Sequence, residues 1–397
     1  MKASITMPEN TVRPTERNAG IDLLRGLSIL IVVCHHLSIR IPLEQTLASY
    51  CLPPLVLRLF AYGGGNAVTM FFVISGFLIT TRSYQTFGGL KDMKAFPFLA
   101  HRAARILPCL FALLLILSVL SQIGPQWFHF TDAGQTLAGA ILSVLTCTFN
   151  WYEGQTTWAP PNWDVLWSLS IEEAFYLGFP ALCLLPSMPR LFLLVALVLL
   201  GPLDQAALPH SNPVWRSKAY LPGFGAIVTG VLSAMLCRKL SFSPAAGWTV
   251  TLTGACFALL ELCAGPALWE IVGSWYVVFL TGGVALMLIG LTHVARSGHS
   301  TAPRWGTGWL QSFGRLSYEI YLTHMFVVMP AVTLFTAAGG TAERLGLALY
   351  PAVVGASWGL GAVVARLWSR PAARWLDQRW KNSLQAIPHK PPRVSPP

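Results

Sequence analysis

Acidic residues are scarce in this chain, with 16 Asp and Glu against 27 Lys and Arg among 397 residues, and charged residues of both signs make up only 11%. So little charge, beside 54% hydrophobic residues and a mean hydropathy of +0.56, excludes a soluble globular enzyme, whose core needs far less apolar sequence. The eight cysteines occur singly, several inside apolar runs (Cys34, Cys109, Cys183, Cys237, Cys256), with no C-x-x-C pair and no metal-ligand spacing. They read as small buried hydrophobes, and no metal site is expected. A cleavable signal is not expected either. Met1 to Gly20 is polar and mixed, and the first apolar run carries Asp22 and Arg25 with no small-residue cleavage site after it, so it is expected to stay as the first span. No internal repeat is apparent, which weakens a transporter built of inverted repeats.

What is present is a succession of apolar runs, at 21–39, 66–82, 104–123, 165–185, 191–204, 222–237, 248–264, 270–293, 313–336 and 345–367. A bilayer core takes about 20 apolar residues per helix. The expected fold is therefore an all-α polytopic membrane protein with about ten transmembrane helices. An eleventh run, 137–150, is shorter. With ten spans and both termini cytoplasmic, all but five of the 27 Lys and Arg face the cytoplasm, the exceptions being Arg40, Arg58, Arg216, Lys218 and Arg344. A span at 137–150 would invert every later loop against the positive-inside rule, so that run is expected to be re-entrant or interfacial. The same rule accounts for the net charge of +11, and nucleic acid is not expected as a partner. The boundaries drawn are a cytoplasmic N-terminal tail (1–19), a transmembrane domain (20–368) and a basic, proline-rich cytoplasmic tail (369–397), read from Pro371 onward as disordered.

Several constellations put ionisable groups at membrane depth, where each is costly and marks a candidate site. In "RGLSILIVVCHH", Arg25 and His36 are eleven residues apart, about 16 Å along a helix and on nearly the same face. Asp22 is positioned to pair locally with Arg25. His35 points about 100° away from His36 and reads as a packing neighbour. In "NWDVLWSLSIEEAFYLGFP", Glu172 and Glu173 follow Ser168 and Ser170 into the membrane. A buried carboxylate there either orients a histidine or itself serves as acid or base. Ser75-Gly76 in "FFVISGFLIT" permits a close helix approach or a bend beside a ligand. Arg102 and Arg105 in "HRAARILP" are one turn apart and suited to phosphates, although a positive-inside flank explains them equally well. In "GRLSYEIYLTHMFVV", Tyr318, Tyr321 and His324 share a face and give a second mid-depth histidine.

These stretches, in this order from about residue 20 to residue 330, resemble the acyltransferase-3 family of integral-membrane O-acyltransferases, which modify cell-surface polysaccharides, peptidoglycan and other glycans. "WSLSIEE" is the most specific of them. The resemblance implies a multi-pass protein of a bacterial cell membrane that transfers an acyl group, acetyl in the first instance, from acyl-CoA to a sugar hydroxyl. His36 is then the expected general base, Arg25 belongs to the same motif, and Glu173 or Glu172 supports the histidine, with Glu173 favoured. Arg102 and Arg105, with Arg82 nearby, are expected at the acyl-CoA donor. Trp167, Ser168, Tyr321 and His324 are expected at the acceptor, which is a glycan, a lipid-linked sugar or a glycoside. No permanently bound cofactor is expected. Many relatives carry an SGNH-type hydrolase domain after the last span, whereas about thirty residues follow it here, so transfer is expected to finish in the membrane domain. Relatives often place an aromatic before the late histidine; Thr323 stands there, which lowers the expected catalytic weight of His324. The alternative reading is a transporter or flippase for a glycan-type substrate, using the same buried groups as a proton relay.

Overall fold

A computed structural model describes residues 17–303 and 305–385, and among these every regular element is helical. The first helix, α1 (Ala19–Ser38), starts where the Asn18 side chain accepts hydrogen bonds from the Gly20 and Ile21 amides, the usual way a helix satisfies its first free N–H groups. Its twenty residues rise about 30 Å, one bilayer core. There follow α2 (Gly64–Phe87), α3 (Ala95–Ile123), α4 (Leu166–Leu184), α5 (Ser187–Ala207), α6 (Tyr220–Cys237), α7 (Pro244–Val272), α8 (Val277–Arg296), α9 (Ser317–Thr323), α10 (Met325–Ala337), α11 (Leu347–Val364) and α12 (Arg370–Gln385). Each of the ten apolar runs falls on these helices.

Among the described residues seven stretches qualify by length and apolarity to cross a membrane, or eight if α9 and α10, bent by 47°, form one broken span. That is fewer than the ten expected, and there are two physical reasons. The 53-residue stretch Pro244–Arg296 contains two helices packed antiparallel, for Gly247 meets the Gly290 carbonyl while Gly254 meets that of Gly283. In α4, Glu172 and Glu173 dilute the apolarity, and it is not among the qualifying stretches. The run 137–150 is no span. It is broken at Cys147 (φ 58°) into Leu137–Leu145 and Phe149–Gln155, and nine residues rise only about 14 Å.

Helix crossings close on glycine. A Cβ on Gly76 would lie 1.9 Å from the Ile227 carbonyl, and one on Gly230 2.0 Å from that of Val73, so α2 and α6 touch backbone to backbone. Gly26 and Gly314 likewise press α1 against the short helix Gly308–Arg315. Such contact gives apolar helices the van der Waals attraction that lipid does not otherwise favour.

Three expectations need correction. The tail after Pro371 is helical as far as Gln385, because Trp380 stacks on Phe96 (5.3 Å between ring centres) and Asp377 meets the His101 ring at 3.2 Å, docking α12 on α3; residues 386–397, and Met1 to Glu16 of the N-terminal tail, lie outside the described residues. Asp22 pairs with Arg17 (2.8 Å), not Arg25. Cys256 is exposed on α7, not buried.

Candidate active site

The first-span histidines part company, as their angular separation requires. His35 bonds through Nδ1 to the Ala61 carbonyl (2.7 Å) and fills the space left by Gly64, where a Cβ would fall 2.2 Å from its ring. That is a packing role. The His36 ring, half-buried, has no hydrogen bond to any described residue, and its centre lies 5.1 Å from that of His324. Sequence reasoning gave His324 little weight, and the structure places it against the proposed base.

His324 sits at the break between α9 and α10. Its Nδ1 donates to the carbonyls of Tyr321 (2.8 Å) and Ile320 (3.1 Å). Since a carbonyl only accepts, the proton is on Nδ1 and the Nε2 lone pair is free. That Nε2 is buried and has no hydrogen-bond partner among the described residues. Broken backbone at membrane depth is tolerated where it is enclosed by protein or lines a polar cavity. Tyr321, one turn back, holds Ser168 Oγ at 2.6 Å, and its ring stands edge-on to Phe71. Trp167 stands edge-on to Phe72 and 6.0 Å from Lys218 Nζ. All four residues expected at the acceptor are thus brought to the His36 end of the site.

Arginine and glutamate define the other end. Arg102 lies over the Tyr176 ring at 3.9 Å and within electrostatic reach of Glu172 and Glu173. Tyr176 OH and Ser75 Oγ are in close hydrogen-bond contact, so Gly76 makes the helix crossing while its neighbour serves the site. Arg25 donates to Ser317 Oγ (2.8 Å) and sits within electrostatic reach of Arg105. Arg102 Nε and Glu173 Oε1 are buried and have no hydrogen-bond partner among the described residues. Leaving such atoms unpaired costs about 1–3 kcal/mol each, a cost that a polar ligand removes. Tyr318 turns to the Ile106 carbonyl of α3 (2.9 Å) and ties α9 to the arginine helix.

Two expected contacts are not formed. Neither glutamate makes a hydrogen bond or ion pair to His36 among the described residues; the charged neighbours of His36 are Arg40 and Lys218, because α4 turns its carboxylates toward Arg102. Arg82 is exposed, and both it and Arg102 lie within electrostatic reach of His101. Arg105 is also exposed.

One group escaped sequence reading altogether. Lys218, counted there only as a positive charge outside, is 2% exposed and is paired with Glu153 (2.8 Å) and, in closer contact, with Asp164. Trp158 covers the ammonium at 4.2 Å. Because Asp164 immediately precedes α4, this network braces the turn that presents Trp167 and Ser168. Its only sequence signal was the isolation of three charges among aromatic residues.

The model of a family described as an acyltransferase domain, Acyl_transf_3, matches residues 18–366. The chain belongs to the acyltransferase-3 family. It is 26% identical over 215 residues to the peptidoglycan O-acetyltransferase OatA of Listeria monocytogenes, 51% of this chain and 29% of that protein. It is 28% identical over 195 residues to YrhL, a putative peptidoglycan O-acetyltransferase of Bacillus subtilis, 46% of this chain and 27% of the relative. A putative O-acetyltransferase of Staphylococcus aureus strain COL aligns at 28% over 171 residues, 41% of this chain and 24% of the relative. The aligned segments thus take in less than a third of these relatives' own length. No solved structure matches.

Proposed function

We propose that this acyltransferase-3 protein is a membrane O-acetyltransferase of the bacterial cell envelope, moving acetyl from acetyl-CoA to a hydroxyl of a glycan, a lipid-linked sugar or a glycoside, with His36 as general base. The observation that carries the reading is the pairing of His36 with His324 at one end of a site whose other end holds Arg25, Arg102 and Arg105. The arginine end suits the phosphates of the donor, and the cytoplasmic placement of Arg102 and Arg105 follows from the positive-inside rule. In the transfer step the acceptor hydroxyl oxygen bonds to the thioester carbonyl carbon, its proton passes to His36, and the carbon–sulfur bond breaks. The thiolate leaves and takes up a proton as CoA. An imidazole not hydrogen-bonded to protein is free to meet the hydroxyl. The acetyl group and the glycan acceptor come from what the relatives are named for.

The test uses membranes containing the full chain and acetyl-CoA labelled in the acetyl group. Label should enter the glycan fraction with the wild type and not with a His36→Ala variant expressed to the same level. Equal labelling by both would remove His36 from the reaction. Translocation of unmodified substrate without labelling would favour the transporter reading.

A further inference from the structure

A second cavity opens at the same end of the bundle as His35 and His36, on the far side of the first turn of α2. Its volume is about 300 Å³, and its walls carry Arg58, Tyr62, Asn66, Glu261, Trp269 and Tyr276. That size is at the lower end for small-ligand sites. It is set apart by Glu261, which is 2% exposed within a helix long and apolar enough to cross a membrane. Its one hydrogen bond is a long one from Asn66 Nδ2 to Oε2, 3.3 Å. A carboxylate has about four acceptor sites, and burying one so poorly matched is expensive. None of the chemistry assigned to the His36 site uses it.

The backbone opposite adds to the acceptor character. α7 breaks here, with Ala264 out of helical geometry (φ −120°, ψ 19°) and Pro266 inside the helix. Proline has no N–H to offer the carbonyl four residues earlier, which belongs to Leu262, itself part of the cavity wall. A helix broken at membrane depth marks a polar cavity or a binding position. Around these acceptors stand the Asn66 amide and the Arg58 guanidinium as donors, with Tyr62, Trp269 and Tyr276 as aromatic surface. Arg216 lies over Trp269 at 5.2 Å.

We propose that this cavity is a saccharide subsite that holds a sugar unit of the acceptor next to the one whose hydroxyl is acylated. The proposal rests on the glycan-acceptor reading above and extends it to residues outside the His36 site. A sugar ring has hydroxyls that donate to a carboxylate and a carbonyl, hydroxyl oxygens that accept from an amide and a guanidinium, and a C–H face that packs on aromatic rings. The buried Glu261 carboxyl and the Leu262 carbonyl call for hydrogen-bond donors, which a sugar supplies and a phosphate diester does not. Position supports the link: Gly64, two residues before Asn66, is the glycine on which the His35 ring packs, so the cavity wall and the neighbour of His36 share one helical turn.

The experiment uses the purified full chain in lipid nanodiscs, with chitotetraose and maltotetraose as saccharide probes and calorimetry as readout. Wild type should bind at least one probe. Glu261→Gln and Trp269→Ala should each weaken that binding about tenfold or more, by loss of one charge-assisted hydrogen bond or one aromatic contact, while affinity for acetyl-CoA stays within about twofold. Asn66→Ala serves as a second probe of the Glu261 contact should Glu261→Gln fail to fold. Wild type that binds neither saccharide, or variants that bind as tightly as wild type, would overturn the subsite. The two readings fail separately. Saccharide binding that depends on Glu261, without any His36-dependent acetyl transfer, sinks the proposed reaction and leaves the subsite. His36-dependent transfer with Glu261-independent binding does the reverse.

Discussion

His36 and His324 stand with ring centres 5.1 Å apart, one in the first span and the other in a broken helix near the end of the chain. The Nε2 of His324 is buried with no hydrogen-bond partner among the described residues, so in the reaction proposed above its lone pair is available to the proton that His36 receives. A His324→Phe variant, close in shape and without the lone pair, is expected to lower kcat about 10- to 100-fold, the lower part of what a positioned acid or base supplies. The KM for acetyl-CoA should change little. A kcat equal to wild type in steady-state transfer assays would reduce His324 to packing.

Arg102 lies over the Tyr176 ring at 3.9 Å, and an ammonium on a flexible stem does not reproduce a planar, forked donor. Arg102→Lys is therefore expected to raise the KM for acetyl-CoA about tenfold, with the acceptor KM held within about twofold. If both rise together, the residue holds up the whole site and does not act at the donor end alone.

Among the described residues Lys218 is the only cation paired with Glu153, which is 0% exposed. Removing one partner of a buried pair strands the other, at a cost of about 3–5 kcal/mol. Lys218→Met should thus lower the unfolding temperature in detergent sharply. The double variant Lys218→Met, Glu153→Gln should recover part of the loss, because the stranded charge is gone. Equal stability of the single and double variants would show that no such coupling exists.

The α2–α6 crossing leaves no room for a methyl group, with the Ile227 carbonyl 1.9 Å from where a Gly76 Cβ would stand. Gly76→Ala is expected to cost about 1–3 kcal/mol, as overpacking does. Thermal unfolding in detergent reads this directly, and an unchanged midpoint would mean that the helices part without penalty.

Much of this arrangement was legible in the sequence, because the helical period is a local property. The eleven-position step from Arg25 to His36 set their common face, and the 100° step to His35 separated the two histidines. The apolar runs found the helices. What period cannot supply is the pairing of segments far apart. Glu172 and Glu173 stood out as carboxylates in an apolar run, but which helix they face is a matter of how α4 is turned, and they face Arg102 at the end of the site away from His36. Lys218 and Glu153 come together only through tertiary packing of short helices that hydropathy scarcely registers. The helix break at His324 was hidden because "SYEIYLTHMFVV" has no proline or glycine at that point; the histidine itself ends α9 by bonding back to Tyr321 and Ile320. The tail beyond Pro371 is basic enough to look unstructured, yet Trp380 finds Phe96.

That last bond of α9 also bears on how such a protein can diversify. The aim of His324 comes from two main-chain carbonyls, not from a partner side chain, so no single substitution elsewhere in the site removes what holds it. The cavity around Glu261 is walled mostly by side chains, which drift freely one at a time. A scaffold divided in this way can exchange one acceptor for another over evolutionary time while its acid–base geometry passes unchanged from ancestor to descendant.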